Sequence, residues 1–219
     1  MEIVPGVHWI PQINGNVYVL VGDTLTLIDT GLPHNTKKIL SYITETLKRK
    51  PEDVSTIILT HAHIDHIGNV AELHDVTGAK IAAHQADANF MEKKQTMPPS
   101  KSLMIRVVSP LIRVKPFTID IRLTDGSQIA GTHIYHTPGH TPGSIAILKD
   151  DASALFIGDT ILTPNATIEG PSERFTLDYT RAMESVHKIA RLTFNVLLSG
   201  HGDPVLPNAA EKVRQRFPQ

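Results

Sequence analysis

The chain has 219 residues, 41% hydrophobic and 20% charged, which is enough for one sizeable core of ordinary globular composition. Its formal net charge of −1, with lysine and arginine scattered, provides no basic stripe for nucleic acid. Cysteine is absent, which excludes disulfides, thiolate nucleophiles and thiolate metal ligands together.

The opening residues show short alternating stretches, first around Val7, Trp9 and Ile10, then from Asn16 to Val21. Neither a basic start nor a long apolar run marks this end, and the longest apolar runs elsewhere are strand-sized, so no secretory signal and no membrane span are expected. A cytoplasmic protein fits this pattern. Gly22-Asp23 signals a hairpin turn into Thr24 to Ile28, which runs into Asp29-Thr30-Gly31. From about Asn35 to Lys50, Ile39, Leu40, Ile43 and Leu47 recur at helical spacing, and Pro51 ends the helix.

The β-branched run Val54 to Leu59 reads as a buried strand and delivers His61-Ala62-His63-Ile64-Asp65-His66. Beyond it, Ile67, Val70 and Leu73 fall at helical spacing up to Gly78. Three histidines and a carboxylate therefore crowd a strand-to-helix turn. Imidazole and carboxylate are the donors that zinc and iron prefer, and a merely polar loop accounts poorly for such density. In the extended part His61 and His63 point the same way, and after the turn Asp65 and His66 can face back to the same point.

Residues 85–116 break the rhythm. Met91, Met97, Met104, Val107, Val108, Leu111 and Ile112 read as a mixed helical insertion, either a packed connection or a cap over the site. The same apolar residues offer a face for a second subunit, as in a homodimer. No linker divides the chain, so 1–219 is read as a single domain.

Later the chain repeats an order of elements. Ser153 to Ile157 runs into Gly158-Asp159-Thr160, a helix begins near Asp178, and the strand Phe194 to Leu198 delivers Ser199-Gly200-His201. Strand, acidic turn, helix, strand and histidine thus occur twice, suggesting two similar halves meeting face to face. His140 stands in the tight turn Thr137-Pro138-Gly139-His140-Thr141-Pro142-Gly143 beside the strand Ser144 to Leu148. His140, Asp159 and His201 all lie at strand ends, where ligand and catalytic groups gather. His8, His34, His74, His133, His136 and His187 lack such context and are read as structural or surface residues; His84 ends a strand-like run without reading as a ligand.

Taken together, Leu27 to Gly31, the HxHxDH run, the Thr-Pro-Gly-His turn, Gly158-Asp159-Thr160 and Ser199-Gly200-His201 resemble the metallo-β-lactamase superfamily, in its glyoxalase II-like (hydroxyacylglutathione hydrolase-type) branch. The resemblance covers nearly the whole chain. It implies a four-layer αββα sandwich, two mixed sheets flanked by helices, with a two-metal site at one edge. It places His61, His63 and His140 on one metal, Asp65, His66 and His201 on the other, and Asp159 between them. Two divalent ions are thus expected, zinc first, with iron and manganese suited to the same donors. Such a pair lowers the pKa of a shared water from ~15.7 toward ~7, so hydroxide is available at neutral pH. By the same resemblance Asp65 orients it and takes a proton. Asp29 is read either as fixing a ligating imidazole or as a turn and capping residue.

The expected activity is hydrolysis of a small-molecule thioester or other ester. Glyoxalase II proteins carry a C-terminal helical extension that binds glutathione, whereas only Asn208 to Gln219 follows here, so another thioester, a lactone or a phosphotriester is an open alternative. An alternative of another class is a mononuclear iron persulfide dioxygenase, which the two-histidine, one-aspartate subset would also serve. No nucleic-acid exosite or membrane partner is expected.

Overall fold

The computed structural model describes residues 1–96, 98 and 112–218. Seven strands, β1 Glu2–Val4, β2 Val7–Ile10, β3 Val17–Val21, β4 Leu25–Ile28, β5 Val54–Leu59, β6 Lys80–His84 and β7 Ile121–Leu123, make one sheet in chain order. Five more, β8 Gln128–Ile129, β9 Thr132–His136, β10 Ile145–Lys149, β11 Ala154–Phe156 and β12 Val196–Leu198, make a second in the order β12-β11-β10-β9-β8. Both sheets are mixed: β4 to β7 run parallel to one another, as do β11 and β12, and the other neighbours are antiparallel.

Side-chain alternation turns these strands into layers. Tyr18, Ile28 and Ile58 of the first sheet face Ile145, Ile147, Phe156 and Leu198 of the second across a shared core. Their neighbours Val19, Leu27, Ile57 and Leu59 point outward, onto Ile39 of α1 (Thr36–Ser41) and Leu73 of α3 (Val70–Thr77). The outer face of the second sheet buries Leu148, Leu155 and Leu197 against Val186 and Ile189 of α5 (Tyr179–Ala190) and Val213 of α6 (Ala209–Arg216). The expected αββα sandwich is therefore the observed architecture. Each wholly buried Ile, Leu or Phe contributes about 1.5–3 kcal/mol, so the middle layer fixes how the two sheets face each other.

Two local differences from the expected elements have physical causes. The helix predicted from Asn35 to Lys50 is α-helical only to Ser41 and continues as a π turn, Tyr42–Thr46. There the Thr44 hydroxyl donates to the Leu40 carbonyl at 3.0 Å, a side-chain bond that competes with the regular ladder. The helix predicted after the HxHxDH run begins inside it, as α2 (Ile64–Ile67), and breaks before α3. The break frees the Asn69 amide to donate to the Thr30 and Leu32 carbonyls at 2.6 and 2.7 Å, which holds the Asp29 turn.

The 85–116 segment opens with α4 (Gln85–Met91), and Met91, Val114, Phe117 and Ile119 pack into the outer core of the first sheet. Met97, Met104, Val107, Val108 and Leu111, on which the cap reading rested, lie outside the described residues. Among the described residues, no helix is long and apolar enough to cross a membrane.

The predicted repeat of elements is visible in space. β4, α1 and the parallel β5 lead to His61, and β11, α5 and the parallel β12 lead to His201. At this end the Ile145 amide donates to the Thr60 carbonyl at 3.0 Å, a backbone bond between the two sheets beside the histidine-rich turn.

Candidate metal centre

All seven residues singled out as ligands converge at this edge. Donor atoms of His61, His63, His140 and Asp159 lie within 4.8 Å of one another, and so do those of Asp65, His66 and His201. The two groups adjoin through Asp159: its Oδ1 lies 3.5 Å from His66 Nε2, and its Oδ2 lies 3.5 Å from both His140 Nε2 and His201 Nε2. His201 Nε2 is also 3.0 Å from Asp65 Oδ2, and His140 Nε2 is 2.8 Å from His63 Nδ1. Among the described residues, no histidine outside the seven joins either group. His84 instead stacks on His136 with ring centroids 3.8 Å apart.

The outer ring of hydrogen bonds sets which nitrogen each imidazole presents. Asp29 Oδ2 accepts from the Thr60 hydroxyl at 2.7 Å and from His66 Nδ1 at 2.8 Å, while its Oδ1 accepts from the Thr60 amide at 2.8 Å. Because the Thr60 hydroxyl gives its proton to Asp29, it accepts from His61 Nδ1, 3.0 Å away. His61 and His66 are thereby left with Nε2 facing inward. Both of those atoms, and Asp159 Oδ1, are buried without a hydrogen-bond partner. Buried polar atoms rarely stay unpaired, and these orphans, one imidazole nitrogen from each donor group and an oxygen of the carboxylate that adjoins both, fit bound cations rather than a packing defect. Asp29 fills both roles expected of it: it sits in a turn, with φ of 58°, and its carboxylate holds the His66 ring.

The charges are arranged to match. Burial, reinforced by the neighbouring histidines, holds His61 and His140 well below the usual imidazole range, and burial lowers His63 as well. These three are neutral nitrogen donors at physiological pH. Burial also opposes the charged form of His66, yet Asp159, Asp29 and Asp65 outweigh it and push its pKa up to about 10. His201 is raised against burial by Asp159 and Asp65. For Asp65, burial favours the acid, but His66, His201 and His63 prevail and keep it ionised. The carboxylates around this group thus favour positive charge there.

Residues 10–201 match the model of the metallo-β-lactamase superfamily. The chain belongs to this superfamily. A probable metallo-hydrolase of Bacillus subtilis, YflN, is 31% identical over 231 residues, covering 93% of this chain and 86% of that protein. Similarity to the glyoxalase II type is more distant: a hydroxyacylglutathione hydrolase of Cereibacter sphaeroides is 28% identical over 166 residues, and the match spans 73% of this chain but only 52% of that enzyme. Among solved structures, a protein crystallised in a di-iron-bound form superposes with a TM-score of 0.72 at 23% identity, covering 96% of this chain and 97% of its own. As a member of the metallo-β-lactamase superfamily, the chain is a probable metal-dependent hydrolase with two histidine- and aspartate-lined groups able to hold metal ions.

Sequence reasoning did not single out Thr60, Asn16 or Thr176. Asn16 Nδ2 donates to the Ser199 and Gly202 carbonyls at 2.9 and 2.8 Å, bracing the turn that carries His201. Thr176 Oγ1 lies 3.3 Å from His140 Nδ1. Their partners are far away in sequence, so no local pattern reveals them. Thr60 alone carried a signal, since it sits between the strand and the first ligand.

Proposed function

We propose that this chain is a binuclear hydrolase that cleaves ester or thioester bonds of a small-molecule substrate. His61, His63 and His140 would hold one ion, Asp65, His66 and His201 the other, with Asp159 shared between them. The observation that carries the reading is the convergence of the unpartnered His61 Nε2, His66 Nε2 and Asp159 Oδ1, because each needs a partner and no protein group supplies one. Zinc is the ion these donors suit first; iron is the alternative supported by the di-iron form of a structural neighbour.

When bound, a pair of such ions supplies a water activated near neutral pH and a Lewis acid for the substrate carbonyl. The protein does the rest. Asp29 and Thr60 hold His66 and His61 in one tautomer, so each presents Nε2 without rearrangement. Asp65, with 30% of its side chain exposed against 10% for Asp159, is the more open of these two carboxylates and would accept the proton of the attacking water. His201, 35% exposed and 3.0 Å from Asp65 Oδ2, lies on the same open side of the centre, where it would help hold the second ion. Cysteine plays no part, since the chain has none.

The test is metal analysis of the purified protein followed by a panel of thioester, lactone and phosphotriester substrates. About two ions per chain and chelator-sensitive cleavage of thioesters or carboxylic esters are expected. One iron per chain with oxygen uptake on a persulfide would replace the hydrolase with a dioxygenase. Turnover of phosphotriesters alone would move the substrate class.

A further inference from the structure

One buried carboxylate next to the centre belongs to neither donor group. Asp87, on the first turn of α4, is wholly buried. Its Oδ2 accepts from the Ala62 amide at 3.0 Å and from the Thr141 hydroxyl at 2.6 Å, and its Oδ1 accepts from the Gly143 amide at 2.6 Å. Ala62 lies between His61 and His63, while Thr141 and Gly143 follow His140. A single carboxylate thus ties the turn after β5 to the turn before β10, which belong to different sheets.

The packing is as close as the hydrogen bonding. A Cβ at Gly143 would lie 2.7 Å from Asp87 Cγ, so only glycine lets this turn reach the carboxylate. The Thr141 hydroxyl is also 2.8 Å from Ser144 Oγ, and the Ser144 hydroxyl lies 3.0 Å from the Thr141 amide, so the turn is held by its own bonds before Asp87 grips it. Leaving a carboxylate wholly buried is costly unless its lone pairs are used, and three donors drawn from two loops use them.

We propose that Asp87 is a positioning residue that sets the separation between the His61–His63 pair and His140. It touches no donor atom of the centre. It acts only through the two loops it ties together, and its influence falls first on His61, His63 and His140, because the groups it binds at Ala62, Thr141 and Gly143 flank those three residues. It bonds no group of α2, which carries Asp65 and His66, or of the turn that carries His201. The proposal rests on the assignment of those seven residues as ligands.

The test uses Co2+ titration of the metal-stripped full chain, followed by ligand-field absorption and by metal analysis, for wild type, Asp87→Asn and Thr141→Val. Asparagine keeps the shape but turns an acceptor into a donor facing Gly143 or Ala62. Valine removes one donor and leaves the carboxylate. In Asp87→Asn the affinity of one ion should fall roughly 10–100-fold while the other is unchanged, with a smaller fall of the same ion in Thr141→Val. The altered absorption should be that of the histidine-rich site. Equal weakening of both ions, or wild-type affinity for both, would overturn the proposal. If Asp87→Asn does not fold, as judged by circular dichroism, Thr141→Val alone decides on the same criterion. Failure of wild type to bind two ions would instead overturn the two-metal reading, so the two failures are distinguishable.

Discussion

Asp29 and Asp159, which occupy matching places in the two halves of the chain, address opposite nitrogens of one imidazole. Asp29 Oδ2 is 2.8 Å from His66 Nδ1, and Asp159 Oδ1 is 3.5 Å from His66 Nε2. The first contact is a hydrogen bond; the second is too long to be one. The asymmetry separates the roles. Asp29 holds the ring, and Asp159 leaves space on the other side for a cation.

Replacing Asp29 by asparagine removes the charge and turns one of its two acceptor oxygens into a donor. The side chain can then no longer accept from the Thr60 amide at one oxygen and from both the Thr60 hydroxyl and His66 Nδ1 at the other. Metal affinity and turnover should fall by roughly 10–100-fold, although the substituted side chain would contact neither ion. Competition with a chromophoric chelator measures the affinity directly. Wild-type affinity in Asp29→Asn would mean that the ring is held by packing alone.

Asp159→Ala and His201→Ala should differ in stoichiometry. Asp159 lies 3.5 Å from histidines of both groups, so its loss should weaken both ions together. His201 belongs to one group, and its loss should leave about one ion bound. Elemental analysis after dialysis reads the difference. Loss of a single ion from Asp159→Ala would assign the carboxylate to one metal only.

Much of this centre was legible in the sequence because its ligands sit at strand ends, where a continuous apolar run stops and polar residues follow. The run Ile57-Ile58-Leu59 into His61 and the run Leu197-Leu198 into His201 both announce that junction. The four layers were implied by the family resemblance, and the alternation of buried side chains is what realises them. Less legible were the groups whose partners are remote. Asp87 looks like any acidic residue in a first helical turn, and only the meeting of the two sheets brings Ala62 and Gly143 onto it. The π turn after Ser41 was hidden as well, since it depends on a threonine hydroxyl choosing a carbonyl.

The metal-stripped protein should lose stability toward alkaline pH through His66. Its pKa is about 10 against an ordinary value of 6.5, so the folded state binds a proton that the unfolded state releases above 6.5. Its contribution is complete below 6.5 and is lost as pH rises through about 10. The advantage of wild type over His66→Ala in urea midpoint should therefore shrink from pH 6.5 upward, and the shrinkage should vanish when metal is bound in place of the proton. A constant difference across this window would show that His66 is neutral in the stripped protein.

Gly200→Ala offers a way to disturb the centre with little effect on the core. A Cβ at Gly200 would overlap Asp159 Oδ1 and lie 2.7 Å from His66 Cε1, with the backbone of Gly158 farther off at 3.1 Å. The carboxylate tip is the softest of these neighbours, so the added methyl should be relieved mainly by swinging Asp159 away from His66. Metal affinity should then drop by roughly 10–100-fold, while overpacking costs the stripped protein only about 1–3 kcal/mol. Gly170→Ala is the matched control: a Cβ there meets Phe217 Cε1 at an ordinary 3.7 Å and should change neither quantity. Chelator competition and urea unfolding on the same samples separate the two effects. If Gly200→Ala loses stability but binds both ions as wild type does, the strain has been taken by the backbone, and Asp159 is held more rigidly than its unpaired Oδ1 implies.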